Sequence, residues 1–401
     1  MTKTDKTFLF LQGHPSLFWR KLSVGLETAG YPTRKIHFCL ADWAFWWRRG
    51  AVNYRWTFRG WKSFLTDYVK REGITDILYY ADAQPYHRAA RQVARKLGIR
   101  AWAVEFGYLR PDWLTLERDG MGPKSHFPKN RDVISALARA NSPPDMVPRY
   151  SHTFAQEAFG EVMFNLLLAY GRPFYPFHFS DKYYWPAFDY LAWLVELARG
   201  PAHQRHASEV VPKILAGPAP FTLVAMQLQS DYQIRAASPY THLEEYLVEI
   251  LNSFAVHAPK DRQLLIKIHP LDNGIERWSG RVSRLAANLG VWERVHVVKG
   301  GDLGQLIDKA TGVICANSTV GLHAIQAGVP CIALAPAIYR LPGLTHQAGL
   351  NSFWEQPEAV DREFAETFVR GLSTIQVKGS FFDRTGQHAA IATIVDRLTA
   401  T

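Results

Sequence analysis

Short apolar runs separated by stretches of helical periodicity set the rhythm of this chain. Phe8–Leu11 is an apolar run that ends in Gln12-Gly13-His14-Pro15, a strand running into a loop. Leu17 to Glu27 repeats apolar residues at helical spacing and stops at Gly30. Strand Lys35–Phe38, helix Trp61–Glu72, strand Asp76–Tyr80, helix Arg88–Leu97 (closed by Gly98) and strand Ala101–Val104 continue the alternation. Strands alternating with helices at this spacing predict a parallel, doubly wound sheet. The rhythm breaks near Ser125, and Ser142 to Pro218 is partly helical, rich in aromatics and prolines, with no clean strand. A second alternating block then begins at Phe221–Ala225. It runs through helix Leu243–Phe254, strand Leu264–Ile268, helix Arg281–Leu289, strand Val295–Val298, helix Gln305–Lys309, strand Val313–Cys315, helix Val320–Ala327 and strand Cys331–Leu334. Asp361–Gly371 and His388–Leu398 read as helices without partner strands.

This pattern predicts an α/β, GT-B-like fold: two Rossmann-like doubly wound domains facing a cleft, with C-terminal helices crossing back. The expected boundaries are 1–215 for an acceptor-side domain with an aromatic-rich helical insertion at about 142–215, 216–370 for a nucleotide-binding domain, and 371–401 for a segment packing back on the first. The 401 residues suit two cores better than one. A net charge of +10 and a pI near 9.4 point to an anionic partner. Thirteen Trp, 17 Tyr and 23 Phe exceed what a core needs and suit membrane interfaces or sugar faces. Cys39, Cys315 and Cys331 lack metal-type spacing and read as buried hydrophobes in a reducing compartment. Met1 to Thr7 is polar, so no signal peptide is visible, and no apolar run reaches the roughly 18 residues that span a bilayer. The expectation is a cytoplasmic protein, soluble or attached at the membrane surface.

Ligands of doubly wound sheets sit beyond the carboxyl ends of the strands. His269-Pro270 ends one such strand, and Asn317, Ser318 and Thr319 end another at a helix start, with Gly321 allowing close packing. An imidazole together with a helix N-terminus suits a phosphate. Capping for the hydroxyls and a backbone bond for His269 are the competing readings of each taken alone. Glu105 follows strand Ala101–Val104, where a carboxylate could act as base or nucleophile at an anomeric carbon, or pair with Arg110. Asp82 is a similar candidate after the strand ending at Tyr80, and Asp112 lies in the next loop, where capping a turn is the commoner role. Gln227, Asp231, Gln233 and Arg235 follow the first strand of the second block and suit sugar hydroxyls or a base edge, or form a hydrated loop. Trp43 to Lys62 mixes five Trp with Arg48, Arg49, Arg55, Arg59 and Lys62. An anionic membrane surface ranks ahead of nucleic acid there, because no nucleic-acid motif accompanies the patch. The chain has no P-loop, no Gly-x-Gly-x-x-Gly after a strand, no Gly-x-Ser-x-Gly and no Cys/His metal cluster, so no cofactor or metal is expected.

The ordered set Gln12-Gly13, Ala81 to Arg88, Glu105-Phe106-Gly107-Tyr108-Leu109-Arg110-Pro111, Ser230 to Arg235, Lys267 to Asp272, Asn317 to Gly321 and Gly343 to Gln347 resembles bacterial capsule polysaccharide biosynthesis proteins of the KpsS type. The resemblance covers nearly the whole chain apart from Ser142 to Pro218. It implies a retaining β-Kdo glycosyltransferase at the cytoplasmic face of the inner membrane. The implied donor is CMP-β-Kdo and the implied acceptor a phosphatidylglycerol-type lipid, on which the poly-Kdo linker of a capsule begins; other capsule biosynthesis and export proteins are implied partners. By resemblance His269, Ser318 and Thr319 hold the CMP phosphate, and the acid before Gly107 acts at the sugar. Arg110, Lys267 and Arg235 are candidate cations for the Kdo carboxylate, and Gln12 and Gly13 line the same side. Retention implies a double displacement through a protein carboxylate, or attack from the face the phosphate leaves. The family usually places two acids before that glycine, whereas Phe106 holds the second place here. Glu105, Asp82 or Asp112 must then substitute. The alternative is a non-catalytic capsule assembly or export component that keeps a nucleotide-binding cleft.

Overall fold

Parallel pairing organises both halves of the chain. The computed structural model describes residues 6–150 and 153–400, and the polar start Met1–Asp5 lies outside the described residues. The strands are β1 (Phe8–Phe10), β2 (Thr33–His37), β3 (Val52–Asn53), β4 (Asp76–Tyr79), β5 (Arg100–Phe106), β6 (Trp113–Arg118), β7 (Phe221–Ala225), β8 (Gln263–Lys267), β9 (Val295–Val298), β10 (Gly312–Cys315), β11 (Cys331–Ala333) and β12 (Gln376–Lys378). They form one sheet ordered β12-β6-β5-β4-β1-β2-β3 and another ordered β11-β10-β7-β8-β9. The second sheet is parallel throughout, and its strands read as near-continuous apolar runs because helices cover both faces.

Two compact units result. The first takes the chain up to Phe127, Arg139–Asp181 and everything from Arg370; the second takes Pro128–Ala138 and Lys182–Val369. The sequence reading places the aromatic-rich insertion wholly in the first domain, whereas these units divide it after Asp181. Helix Pro186–Ala216 belongs to the second unit: it packs along β9, His206 Nε2 lies 3.1 Å from the Val297 carbonyl, and Glu196 meets Lys299 at 2.8 Å. The first sheet is also not all parallel. β6 runs antiparallel to β5, and β12 antiparallel to β6, so the C-terminal segment, read from sequence as helical, contributes an edge strand. Those strands escape the apolar-run criterion because β6 carries buried Thr115 and Glu117. Helix Arg384–Ala400 then crosses back onto helix Phe18–Thr28, burying Ile394 and Leu398 beside Leu22 and Leu26.

Ile394 is fully buried in that seam, so Ile394→Ala is expected to cost about 2–5 kcal/mol. Urea unfolding followed by tryptophan fluorescence reads this as a lower midpoint. An unchanged midpoint would mean that the terminal helix is not part of the first core.

Candidate functional site

Register places three carboxyl ends of the second sheet level with one another. Ala225 of β7 lies beside Lys267 of β8, and Ile314 of β10 beside Val224, so Cys315 ends at the same height. The chain order reverses between β10 and β7, which makes that gap the topological switch point. Gln227 and Asn317 meet across it: Gln227 Nε2 donates to Asn317 Oδ1 at 3.1 Å, and the Asn317 backbone N–H donates to Gln227 Oε1 at 3.2 Å. Asn317 Nδ2 also donates to the Gln233 carbonyl at 2.9 Å. Both amides are therefore engaged in holding the loop after β7 against the start of helix Thr319–Ala327. Asp231 caps the short turn Tyr232–Arg235 by accepting the Gln233 N–H at 2.8 Å. Arg235 stacks on the rings of Tyr232 and Tyr183, 5.2 and 5.5 Å from their centroids.

The groups that remain able to meet an anion lie at the edges of that clamp. Ser318 caps the helix, its Oγ accepting the Val320 N–H at 3.2 Å, while the Thr319 hydroxyl makes no hydrogen bond among the described residues. Gly321 is required because an added Cβ would overlap the Tyr339 ring. Two strands away, about 10 Å across the sheet, β8 delivers Lys267 and then His269, with Pro270 exposed beyond. Lys267 is only 7% exposed, yet its ammonium has no ion pair or hydrogen bond among the described residues. Burial lowers its pKa, partly opposed by the Asp302 carboxylate. His269 Nδ1 accepts the Leu271 N–H at 3.1 Å, which leaves the ring proton on Nε2 as a donor. Burial, then Lys267 and Lys299, bring its pKa down to about 4, so the imidazole is neutral at physiological pH. Lys267, His269 and Thr319 thus offer a cation, a neutral N–H and a helix N-terminus along one edge.

The first sheet has its own switch point, between β1 and β4. Gln12 follows β1, accepts the Tyr80 N–H at 3.1 Å through its carbonyl, and points its amide at Cys39 Sγ, 3.7 Å away. Gly13 lies under Trp19, whose ring an added Cβ would overlap. His14 is buried there at the centre of an aromatic cage: it stacks on Phe381 at 4.3 Å and meets Tyr80, Phe382 and Phe106 edge-on at 5.0–5.4 Å. Sequence reasoning passed over His14, although a histidine straight after the first strand was its available signal. Phe381 and Phe382 had none, because they arrive from beyond β12.

The candidate carboxylates do not converge. Asp82 is buried with Lys124 at 2.9 Å and Arg91 at 3.7 Å and accepts the Met121 N–H at 3.3 Å, the contacts of a structural anchor. Asp112 has φ +66° and accepts the N–H groups of Arg149 and Tyr150, which fixes the turn. Glu105 is not past a strand end: β5 continues to Phe106, and Glu105 pairs in register with Thr115. Alternation along β5 puts Glu105 on the Ala103 face and Phe106 on the opposite face, where Phe106 joins the His14 cage. Arg110 lies 4.6 Å over the Phe106 ring and donates Nε–H to the Gly107 carbonyl at 3.2 Å. Beside it opens a pocket of about 410 Å³, lined by Phe106, Arg110, Trp113, Arg149, Tyr150 and Phe381.

The first unit also shows a large apolar surface. Helix Phe154–Tyr170 exposes Phe159 (68%), Val162, Leu166 and Tyr170 (77%), and Phe174 and Phe177 follow. Trp43 is exposed on helix Leu40–Trp46, which packs against it, and Trp47 is exposed just past that helix's end. Trp56 is 69% exposed beside Arg55, whose guanidinium lies 5.6 Å over the Tyr175 ring. Among the described residues no helix is long and apolar enough to cross a membrane, and no group of three His, Cys, Asp or Glu is placed to hold a metal ion.

Residues 75–382 match the family described as "Capsule polysaccharide biosynthesis protein". The chain is 28% identical to the capsule polysaccharide export protein KpsS of Escherichia coli over 94% of its own length and 96% of the relative's. It is 25% identical to the capsule polysaccharide modification protein LipB of Neisseria meningitidis over 96% and 93%. Among solved structures it is similar to the β-Kdo 2,7 transferase of Thermosulfurimonas dismutans KpsC, with a TM-score of 0.46, 15% identity and coverage of 97% and 99%.

One buried carboxyl of β6 titrates close to neutrality. Burial pushes Glu117 up to about 7, against hydrogen bonds from Ser125, Tyr108 and Thr115. A carboxyl whose folded pKa lies above its unfolded value of 4.5 binds more protons when folded, so its contribution falls as pH rises from about 5 to about 7. Thermal melts at pH 5 and pH 8 should show Glu117→Gln gaining stability relative to wild type at pH 8. An equal difference at both pH values would mean that Glu117 ionises normally.

Proposed function

This chain belongs to the capsule polysaccharide biosynthesis protein family, and on that premise we propose that it is a glycosyltransferase with CMP-β-Kdo as donor. The acceptor is an anionic, phosphatidylglycerol-type lipid, and transfer with retention begins the poly-Kdo linker of a capsule. The single observation that carries this reading is Lys267: a buried ammonium with no ion pair or hydrogen bond among the described residues and only the field of Asp302 to offset its burial, beside a neutral imidazole donor, suits an anion from outside.

CMP leaves as a phosphate monoester, carrying less charge than a nucleoside diphosphate. A cation, one N–H donor and the N-terminus of helix Thr319–Ala327 are enough to stabilise it without a bound metal. His269 donates through Nε2 without changing its own protonation state. In the transfer step the anomeric carbon–phosphate oxygen bond breaks with its electron pair going to CMP. The acceptor hydroxyl oxygen bonds to the carbon, and its proton passes to a carboxylate. Arg235, held flat by two tyrosines, and Arg110 are the cations suited to the Kdo carboxylate.

The first unit supplies the lipid side. Its exposed Phe159, Leu166, Tyr170, Trp47 and Trp56, with Arg49 and Arg55 alongside, form the mixture of amphipathic rings and cations that settles on an anionic bilayer surface. The protein then works as a peripheral protein on the cytoplasmic face of the inner membrane, alongside other capsule proteins. A second reading, a non-catalytic capsule component that keeps the nucleotide site, draws on one observation: Phe106 fills the cage where the family places an acid.

Calorimetric titration with CMP tests the nucleotide site. His269→Ala and Lys267→Met should each weaken binding about tenfold to a hundredfold, the loss of one hydrogen bond to a charged group; unchanged affinity in both removes the anion site. Incubation with CMP-Kdo and a short-chain phosphatidylglycerol, read by mass spectrometry, separates the two functional readings. A lipid product heavier by Kdo supports the transferase, and intact CMP binding without product supports the assembly component. Replacing Phe159, Leu166 and Tyr170 together by serine should abolish sedimentation with anionic vesicles while sparing CMP binding. Undiminished sedimentation would move the membrane contact elsewhere.

A further inference from the structure

Two helices of the first unit lie side by side with an open groove between them. Lys21 of helix Phe18–Thr28 donates to Gln387 Oε1 of helix Arg384–Ala400, and one turn further along Gly25 comes up against Ile391 and Val395. Contacts that ascend together on both helices mean that the two run in the same direction. A Cβ at Gly25 would sit 3.0 Å from an Ile391 methyl and 3.2 Å from a Val395 methyl. With no side chain there the floor between the helices stays low, and a cavity of about 530 Å³ opens over it.

Polar and apolar groups are sorted along that groove. Its middle is lined by Val24, Gly25, Ile391, Ala392 and Val395, of which Ile391 and Val395 pack below on the first core. One end, where both helices begin, gathers Arg20, Lys21, Arg384 and His388. Among the described residues the side chains of Arg20, Arg384 and His388 make no hydrogen bond or ion pair. Asp383 caps helix Arg384–Ala400 by accepting the Gly386 N–H at 2.6 Å, so those side chains, rather than the helix N-terminus, are what an anion would meet. The other end closes on Asp396 and on Thr28, whose hydroxyl is turned back to the Val24 carbonyl at 2.9 Å. A carboxylate at one end and cations at the other give the groove a direction.

Clefts of this size, with apolar walls and a few polar groups, take small molecules. A protein helix docked in a groove brings a row of apolar anchors at helical spacing. Val24, at 45% exposure, is the one large apolar residue of this groove that stands open to such a partner. Cations at one end only match a molecule with a single anionic head and an apolar tail. We propose that the groove holds one acyl chain of an anionic phospholipid, with the phosphate on Arg20 and Arg384 beside His388. The chain then lies over Gly25, between Val24 on one side and Ile391 and Val395 on the other. All of these residues belong to the first unit, so the site does not depend on the transferase reading. It gives that unit a hold on a single lipid molecule, separate from the exposed rings of helix Phe154–Tyr170.

Calorimetric titration with myristoyl-lysophosphatidylglycerol, kept below its micelle concentration, tests the site without a bilayer, and glycerol phosphate supplies the head without the chain. Wild type should bind the lysolipid, and glycerol phosphate should bind at least about tenfold more weakly, since each buried methylene adds to affinity. Arg20→Gln combined with Arg384→Gln should weaken lysolipid binding about tenfold or more, the loss expected for hydrogen bonds to a charged group. Ala392→Phe leaves every cation in place and fills the groove with a ring, and it should weaken lysolipid binding by about as much. CMP affinity and the thermal midpoint should stay at wild-type values in both variants, which separates loss of lipid from loss of fold. Lysolipid affinity unchanged in both variants would place the lipid elsewhere and overturn the site, whatever becomes of the transferase reading. Equal affinity for glycerol phosphate would mean an anion site that takes no chain, and overturns it too. So does a wild-type chain that binds no lysolipid, the result expected if a helix of another protein fills the groove.

Discussion

An ammonium group held away from water with no carboxylate in ion-pair contact is an expensive thing to bury, and among the described residues Lys267 is held that way, with only the field of Asp302 opposing the cost. Parallel pairing leaves little choice in the matter. The register of β7, β8 and β10 brings Ala225, Lys267 and Cys315 to one level, so whatever follows each strand gathers at one edge. Gln227 and Asn317 then lock the switch point, which keeps the helix N-terminus at Thr319 aimed along the same edge as His269. An anion bound there would offset the cost of burying Lys267, and on this account the nucleotide site and the stability of the sheet edge depend on each other.

The second unit was legible because its physics is simple. Strands buried on both faces must be apolar throughout, so Phe221–Ala225, Leu264–Ile268, Val295–Val298 and Val313–Cys315 stand out, and the structure places their strands within a residue or so of those bounds. The helix start at Ser318 was marked by the residue that caps it, whereas helix Leu303–Lys309, read from Gln305, begins two residues earlier behind the Asp302 cap. The first unit was less legible where polar residues pair with one another inside it. β6 hides because Thr115 donates to Glu117 at 3.0 Å, giving a strand the look of a loop. β12 hides because three residues at a sheet edge carry too little pattern to read.

The site followed the same division. His269 and Lys267 were visible as strand-end residues, and Thr319 as a helix start. The separate roles of Ser318, engaged as a cap, and Asn317, engaged as a clamp, depend on hydrogen-bond geometry that composition does not encode. Asp82 looked similar to Glu105 in the sequence and Asp112 read there more commonly as a turn cap, and their partners show both to be anchors. Phe106 was noticed as a departure, but its place in the His14 cage depends on Phe381, distant in the chain. A helix whose outward face is apolar could not be told from a buried one by periodicity alone.

The central claim is that the edge formed by Lys267, His269 and Thr319 is an anion site for the phosphate of CMP. A crystal structure of the protein with CMP tests it most directly. The account predicts the phosphate within hydrogen-bond reach of His269 Nε2 and the Thr319 N–H, with the Lys267 ammonium turned toward it. CMP seated elsewhere, or a Lys267 ammonium paired with a protein carboxylate while the edge stays empty, would contradict it.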